Sequence, residues 1–220
     1  MDFELTSSGG HVFAAHRADP AGTPRGGIVV IQEIFGVNHH IRAVTDGFAR
    51  EGYLAIAPAM FDRVRRGVEL DYTPEGIALG RELRSAIPLE AAMEDVAAAV
   101  AAASAAGRVG IVGYCWGGYI TWMASAHVPG LACAVPYYGG GILDNAEIEP
   151  RCPVMAHFGE RDEMIPAEGV RKLAARHPAH EFHLYDADHG FHCDERGSYD
   201  AAAARLAAER TLAFFRRHVG

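Results

Sequence analysis

Short runs of apolar residues alternate along the chain with longer amphipathic segments. Residues 27–32 are almost continuously apolar and β-branched, which is typical of a strand buried on both faces. Residues 11–15 predict either an edge strand or one arm of a hairpin. The further predicted strands are 53–57, 109–112, 131–138, 153–158 and 182–185, and the predicted helices are 41–50, a short helix capped by Thr73, 89–106, 117–127, 167–176 and 201–217.

Strands that alternate with helices indicate an α/β fold. We expect a mostly parallel central sheet of about seven to eight strands, with helices on both faces. In such sheets the ligand site lies at the carboxyl ends of the strands. The chain shows no internal repeat and no break in composition, so we expect one domain over residues 1–220.

Composition narrows the classes of partner. Half of the 220 residues are hydrophobic, which excludes a disordered chain, and 20 basic against 28 acidic residues give a net charge of −8. This charge argues against a nucleic-acid or anionic-membrane partner. Residues 1–10 carry no apolar run and no stretch reaches the ~18 apolar residues of a membrane span, so we expect a cytoplasmic protein without a leader.

One cysteine lies in a pattern that carries chemistry. Gly113, Cys115 and Gly117 form G-x-C-x-G between a predicted strand and a predicted helix. A nucleophile on such a tight turn needs small residues on either side, and the helix N-terminus favours a thiolate. The backbone N–H of Trp116 is placed to stabilise an oxyanion. The alternative is a buried cysteine in a glycine-rich turn.

A cysteine nucleophile needs a base, and the base needs an orienting carboxylate. His189 and Asp162 each follow a predicted strand downstream, in the order acid then histidine, and should reach the same edge of the sheet. Three other carboxylates compete for the role of Asp162 and remain open as solvated charges. They are Glu160, Glu163 and Asp188.

Glu33 directly follows the first buried strand and should point into the same mouth. The alternatives are an ion pair with a nearby arginine such as Arg42, or a solvated position. The backbone N–H of Ile34 is a candidate second oxyanion donor. Among the other histidines, His157 and His183 fall within strands and are expected to be packed, whereas His192 is a candidate for lining the site.

These residues place the chain beside a known family. It resembles the dienelactone hydrolases, carboxymethylenebutenolidases of the α/β-hydrolase fold, over essentially its full length. The resemblance lies in residues 32–38, 113–118, 137–139, 159–162 and 189–191, and in the closing segment 209–215.

The resemblance implies a hydrolase that cleaves a lactone or carboxylic ester through an acyl-enzyme intermediate. Hydrolysis of this small-molecule substrate would need no metal and no cofactor. The protein is expected to be a monomer. The implied residues are a Cys115–His189–Asp162 triad, an oxyanion hole from the Ile34 and Trp116 amides, and Glu33, which contacts the resting thiol and helps to deprotonate it when substrate arrives.

The substrate class is less well defined. Dienelactone-specific members hold the substrate carboxylate with two arginines, and one of these positions is occupied here by Cys193. The other falls near residues 77–78, with Arg81 as the candidate and Arg84 close by. Arg63, Arg65 and Arg66 are alternative sources of charge. The candidate pocket walls are Phe35, Trp116, Tyr137 and Tyr138, with core packing as the alternative for both tyrosines.

Two other functions compete with hydrolysis. The chain could be a non-catalytic ligand-binding or redox-sensing protein that uses Cys115 as a reactive thiol, with Cys193 as the resolving cysteine. It could also bind a metal, although residues 182–185 read as a strand, on which ligands at i and i+3 face opposite sides. The residues that suggest a metal site are His180, His183, His189, His192, Asp186, Asp188 and Cys193.

Overall fold

The computed structural model describes residues 2–220. The strands are β1 (Asp2–Thr6), β2 (Val12–Ala18), β3 (Gly27–Ile31), β4 (Leu54–Pro58), β5 (Val109–Tyr114), β6 (Leu131–Tyr137), β7 (Met155–Gly159) and β8 (Glu181–Tyr185). The α-helices are α1 (His39–Arg50), α2 (Pro74–Ser85), α3 (Leu89–Ala103), α4 (Trp116–His127), α5 (Ala167–Arg176) and α6 (Ala201–His218), and short 3₁₀ turns cover Met60–Arg63, Ser104–Ala106 and Leu143–Asn145.

The strands form one sheet in the order β1-β2-β4-β3-β5-β6-β7-β8. β1, β2 and β4 pair antiparallel, and all the other pairs are parallel. This arrangement confirms the predicted mostly parallel sheet. Because β3, β5, β7 and β8 all run in the same direction, the loops that follow them open at the same edge of the sheet.

The helices cover both faces of this sheet. α1 and α6 pack on one face, where Phe48 meets Phe215 edge to face, and α3, α4 and α5 pack on the other. β3 and β5 lie at the centre and are buried along their whole length, as the apolar run predicts. Within residues 2–220, no helix combines the length and the apolar character that a membrane crossing requires.

The amino-terminal strands form a hairpin, which confirms one of the two alternatives for residues 11–15. Residues 12–15 belong to β2, the second arm of the hairpin, which lies between β1 and β4, so the edge-strand alternative is wrong. The first arm, β1, is a strand that the sequence pattern does not predict. Phe3 and Leu5 alternate with Glu4, which is the period-two pattern of an edge strand with one wet face. β1 has only five residues and includes charged ones, so its alternation is too short to predict a strand from the sequence.

Two helix termini also bear on the prediction. The segment 89–106 is α-helical only to Ala103, after which a 3₁₀ turn ends at Gly107, where φ is +116°. Thr73 caps α2 as predicted, since its side chain accepts from the Gly76 N–H at 3.1 Å. α2 then lies directly on the loop after β3, because Gly80 contacts the backbone of Ile34 where a Cβ would collide with it.

Candidate active site

Cys115 lies at a tight turn between β5 and α4. Its φ is +55°, a left-handed conformation that non-glycine residues rarely adopt. The turn is possible because Gly113 and Gly117 are in direct backbone contact. A Cβ on Gly113 would collide with the carbonyl of Gly117, and a Cβ on Gly117 would collide with the carbonyl of Ile31. Both glycines are therefore required to hold Cys115 above the carboxyl edge of the sheet.

The thiol of Cys115 begins a series of hydrogen bonds. His189 Nε2 lies 3.2 Å from Cys115 Sγ, and His189 Nδ1 lies 2.7 Å from Asp162 Oδ2. The other oxygen of Asp162 accepts from the Met164 N–H at 2.9 Å. The imidazole is 10% exposed and the carboxylate 0%, so both groups are shielded from water. The loops after β5, β7 and β8 thus bring thiol, imidazole and carboxylate into line.

The charge state of His189 follows from its neighbours. Burial by itself lowers the pKa of this imidazole, but the negative charge of Cys115 and the hydrogen bonds to Asp162 and Cys115 outweigh it, and the pKa rises to about 10. At neutral pH His189 therefore carries a proton that it can give to an oxygen held near Cys115 Sγ.

Ile34 and Trp116, whose amides are the predicted oxyanion donors, both line the space above Cys115. Trp116 is the first residue of α4, where helix geometry leaves its N–H without an intrahelical partner. Ile34 follows β3 on the adjacent loop. Within residues 2–220, neither amide donates a hydrogen bond, whereas the Cys115 amide donates to the Tyr137 carbonyl at 3.1 Å. The amides of Ile34 and Trp116 are thus available to an oxygen held above Cys115.

A small cavity of about 110 Å³ opens above the thiol. The loop after β3 and helix α2 form one wall, and the loops after β5, β6, β7 and β8 complete it. The lining residues are Ile34, Phe35, Ile77, Arg81, Arg84, Cys115, Trp116, Gly140, Met164, His189 and Arg196.

Comparison with known proteins shows the family to which the chain belongs. The sequence matches the model of the dienelactone hydrolase family over residues 13–219. The chain belongs to the dienelactone hydrolase family. A carboxymethylenebutenolidase from Pseudomonas putida is 34% identical over 221 residues, which cover 96% of this chain and 93% of the relative. A candidate carboxymethylenebutenolidase from Synechocystis is 37% identical over 208 residues, covering 86% and 84%.

Solved structures agree with this assignment. A candidate dienelactone hydrolase from Klebsiella pneumoniae has a TM-score of 0.86 at 33% identity, covering 99% of this chain and 98% of that one. A dienelactone hydrolase-like promiscuous phosphotriesterase from metagenomic libraries has a TM-score of 0.79 at 20% identity over 100% and 99%, which shows a shared fold. The fold is that of the α/β-hydrolases, and the protein is a hydrolase of the dienelactone hydrolase type.

Glu33 is held by a partner that the sequence did not suggest. Its side chain is buried, with Oε1 3.0 Å from an Arg196 guanidinium nitrogen and Oε2 accepting from the Tyr72 hydroxyl at 3.4 Å. The suggested partner, Arg42, pairs instead with Glu69 at 3.1 Å. Arg196 also lies over the Phe35 ring, 5.8 Å from its centroid. The cavity of this protein therefore contains an arginine, Arg196, although Cys193 stands where the resemblance places one of the family's two arginines.

The other candidate arginines fall into two groups, because two of them line the cavity and three do not. Arg81 and Arg84 are exposed at the cavity mouth, and neither pairs with a carboxylate in the part of the chain that the structure describes. Arg63 binds Asp95 at 2.8 Å and is thereby tied to α3. Arg63, Arg65 and Arg66 are all absent from the cavity lining, so these alternatives do not supply its charge.

Two predicted substrate contacts, Tyr137 and Cys193, do not line this cavity. Tyr137 is 1% exposed and points toward α6, where its hydroxyl lies 2.6 Å from Thr211 Oγ1. Cys193 is fully buried and does not line the cavity. Burial raises the pKa of the Cys193 thiol to about 12, with the nearby Glu33 charge adding to the effect. A thiol in this state is a poor resolving cysteine, which disfavours the redox-sensor alternative.

The residues that suggested a metal site do not converge. His183 stacks on His157, with ring centroids 5.5 Å apart, and His192 packs on Tyr114. His189 is committed to Cys115 and Asp162. His157, as expected, is packed in the core, where its Nδ1 lies 2.8 Å from the Tyr185 hydroxyl. The side chains of residues 180–193 therefore pack in several different parts of the structure and do not form one metal site together.

Proposed function

We propose that this protein hydrolyses small lactones or carboxylic esters through a covalent acyl-enzyme on Cys115. The observation that carries the proposal is the hydrogen-bonded series from Cys115 through His189 to Asp162, which lies at the base of a cavity in a member of a hydrolase family. A thiol, a base and an orienting carboxylate are the parts that nucleophilic acyl transfer needs.

Acylation begins with the Cys115 thiolate, formed with the help of Glu33 when substrate arrives, beside the His189 imidazolium. The Cys115 thiolate attacks the carbonyl carbon, and a carbon–sulfur bond forms while the carbonyl oxygen gains negative charge. That oxygen accepts hydrogen bonds from the Ile34 and Trp116 amides. The His189 imidazolium then gives its proton to the leaving oxygen as the carbon–oxygen bond breaks. The product is a thioester with a neutral imidazole beside it.

Deacylation depends on a change in the His189 environment. Once Sγ is acylated, the contributions of Cys115 that raise the His189 pKa are lost, and the opposing effect of burial gains weight against that of Asp162. The neutral imidazole accepts a proton from water, and the resulting hydroxide attacks the thioester carbon. The Cys115 thiolate leaves with the electron pair of the carbon–sulfur bond, the acid is released, and the thiolate again lies beside the His189 imidazolium. The same residue therefore acts as acid and then as base.

Glu33 is proposed to assist the thiol when substrate arrives, as the family resemblance implies. Its buried carboxylate is shared between Arg196 and Tyr72, so its position depends on both. Arg196 lines the cavity, and a substrate carboxylate there would attract the same guanidinium. Substrate binding and release of Glu33 toward the thiol are thereby linked through one cation.

The substrate class is proposed to be anionic. Arg81 and Arg84 bring two exposed guanidinium groups to the mouth of a cavity whose other walls include Phe35 and Ile77. An apolar wall with cations at one end fits a small lactone or ester that carries a carboxylate.

We therefore expect Arg81→Gln and Arg84→Gln to raise KM for a carboxylate-bearing lactone by about tenfold each, since a partly exposed charge-assisted contact contributes roughly 1.5 kcal/mol. KM for a neutral aryl ester should stay within about twofold. Steady-state kinetics on a panel of lactones and esters with and without a carboxylate provides the measurement. Arg65→Gln, which removes an exposed arginine away from the cavity, is the matched control. Equal effects on neutral and anionic substrates would contradict an anion site.

The raised pKa of His189 predicts the alkaline side of the pH profile. Because the pKa is raised from 6.5 to about 10, the imidazolium persists through neutral pH and is lost as pH rises through about 10. kcat/KM, which reports the free enzyme, should then fall for an alkyl lactone whose leaving oxygen needs a proton. A nitrophenyl ester, whose leaving group needs none, should lose less. A decline centred near 6.5 would show that Cys115 and Asp162 do not stabilise the imidazolium.

A further inference from the structure

A second group of ligand-type side chains lies behind the proposed catalytic residues. Glu33, His40 and Cys193 each offer one oxygen, nitrogen or sulfur atom, and these atoms all lie within 4.8 Å of one another. They come from the loop after β3, from the first turn of α1 and from the loop after β8. All three residues are buried, with exposed fractions of 0%, 4% and 0%.

One nitrogen of His40 has no hydrogen-bond partner among the described residues. Its Nδ1 lies 3.3 Å from Asp194 Oδ1, and its Nε2 is buried without a hydrogen-bond partner in residues 2–220. A carboxylate on Nδ1 holds the proton on that nitrogen and leaves Nε2 as a bare lone pair. This is the arrangement by which outer carboxylates orient metal-binding histidines. A buried acceptor without a donor otherwise carries a desolvation cost.

We propose that Glu33, His40 and Cys193 form a binding site for a thiophilic divalent cation such as Zn²⁺. Carboxylate, imidazole and thiolate are all zinc ligands, and three protein ligands leave a coordination position for water. Binding forms a metal–sulfur bond as the Cys193 thiol releases its proton to solvent. The negative charges of Glu33, Asp194 and the new thiolate then balance the dication together with Arg196.

One ligand of the proposed site, His40, borders a surface hollow. His40 and Asp194 line a surface hollow of about 310 Å³, together with His192 and Tyr199. This hollow shares no lining residue with the cavity above Cys115. A cation can therefore approach His40 without crossing the space that the substrate would occupy.

A metal bound at this site would affect hydrolysis through Glu33. A metal on the Glu33 carboxylate competes with Arg196 and Tyr72, which hold that carboxylate in the resting protein. This consequence rests on the proposed function, in which Glu33 assists the thiol. The ion would accordingly be a regulator that slows acylation, and hydrolysis itself would not use it.

The binding test uses the full chain carrying Cys115→Ala, because Cys115 and His189 are themselves a thiol and an imidazole that could capture a metal. Titration with Co²⁺ should give one equivalent bound, with a thiolate-to-cobalt charge-transfer absorption. Adding Cys193→Ser should remove this absorption, and adding Cys152→Ser, at another buried cysteine, should leave it. Absence of the band in Cys115→Ala, or its persistence after Cys193→Ser, overturns the site.

Two further variants guard against misfolding. His40→Gln should also abolish the band, and Asp194→Asn, which keeps all three ligands, should weaken Co²⁺ binding by about tenfold or more. Circular dichroism identifies any variant that has lost its fold. Unchanged affinity in a folded His40→Gln protein counts against the site.

Regulation is measured separately on protein with Cys115 intact. Zn²⁺ should inhibit ester hydrolysis, and the concentration that halves activity should rise at least about tenfold in Cys193→Ser. Equal sensitivity of the two proteins overturns the link to Glu33. A protein that hydrolyses no ester would overturn the proposed function, while the cobalt titration would still decide the metal site.

Discussion

Cys115→Ala is expected to lower kcat/KM for ester hydrolysis by about 10⁴-fold or more, because none of the other described residues that line the cavity with His189 carries a thiol, hydroxyl or amine. The oxyanion donors and the cavity remain, so residual turnover reflects only attack by water. Alkylation by one equivalent of iodoacetamide should give the same loss in the unaltered protein. Initial rates with an aryl ester, together with mass spectrometry of the alkylated chain, measure both effects.

Cys133→Ala is the matched control for this variant. Cys133 lies in β6, fully buried and away from the cavity, and burial raises the pKa of its thiol well above the ordinary value. The variant should lose some stability from the small void but keep its turnover. Substantial activity in a folded Cys115→Ala protein would rule out the covalent mechanism.

Asp162→Asn is expected to lower kcat by roughly 10⁴-fold, the scale found when an orienting carboxylate becomes an amide. Asp162 accepts from both His189 Nδ1 and the Met164 N–H. An asparagine that keeps the bond from Met164 presents its amide nitrogen to His189, which favours the wrong tautomer. Steady-state kinetics and the pH profile of kcat give the measurement, and a retained circular dichroism spectrum shows that the fold is intact.

The neighbouring carboxylates provide controls for that result. Glu163→Gln and Asp188→Asn change exposed side chains on the same two loops. Asp188 lies 3.8 Å from Arg161 at the surface, a contact that contributes little. Both variants should keep activity within about twofold. A large loss in either one, with Asp162→Asn active, would reassign the acid.

The elements around Cys115 could be predicted because local rules act there without competition. β3 and β5 are buried on both faces, so their apolar runs are continuous, and the two glycines flanking Cys115 are required by backbone contacts within a few residues. Asp162 and His189 follow from topology, since the loops after parallel strands meet at one edge. Each depends on a single strand end.

Arg196 could not be found in the same way. It reaches Glu33 because the loop after β8 folds back through turns in which the Cys193 N–H donates to Gly190 and the Arg196 N–H donates to Cys193. Gly190, at φ +78°, leaves the space that the Arg196 guanidinium fills. A position counted along the sequence therefore led to Cys193, which these turns bury. Only the conformation of the loop shows which side chain reaches the cavity.

Tyr137 shows a second limit, that of facing. Alternate residues of a strand point to opposite faces, and a tyrosine at a strand end is compatible with either a cavity or a helix. Here Thr211 on α6 and the Tyr114 ring provide the partners, and Tyr137 is drawn into the core. The deciding contact lies far away in the chain, where no pattern near residue 137 records it.

The series Cys115–His189–Asp162 is assembled from loops that become neighbours only when β5, β7 and β8 lie in one sheet. During synthesis Cys115 leaves the ribosome before either of its partners exists. The new chain therefore carries an unactivated thiol while it is most exposed to oxidants and foreign electrophiles. In the proposed mechanism the thiol becomes reactive only when the last strands are in place, by which time it lies at the base of a narrow cavity.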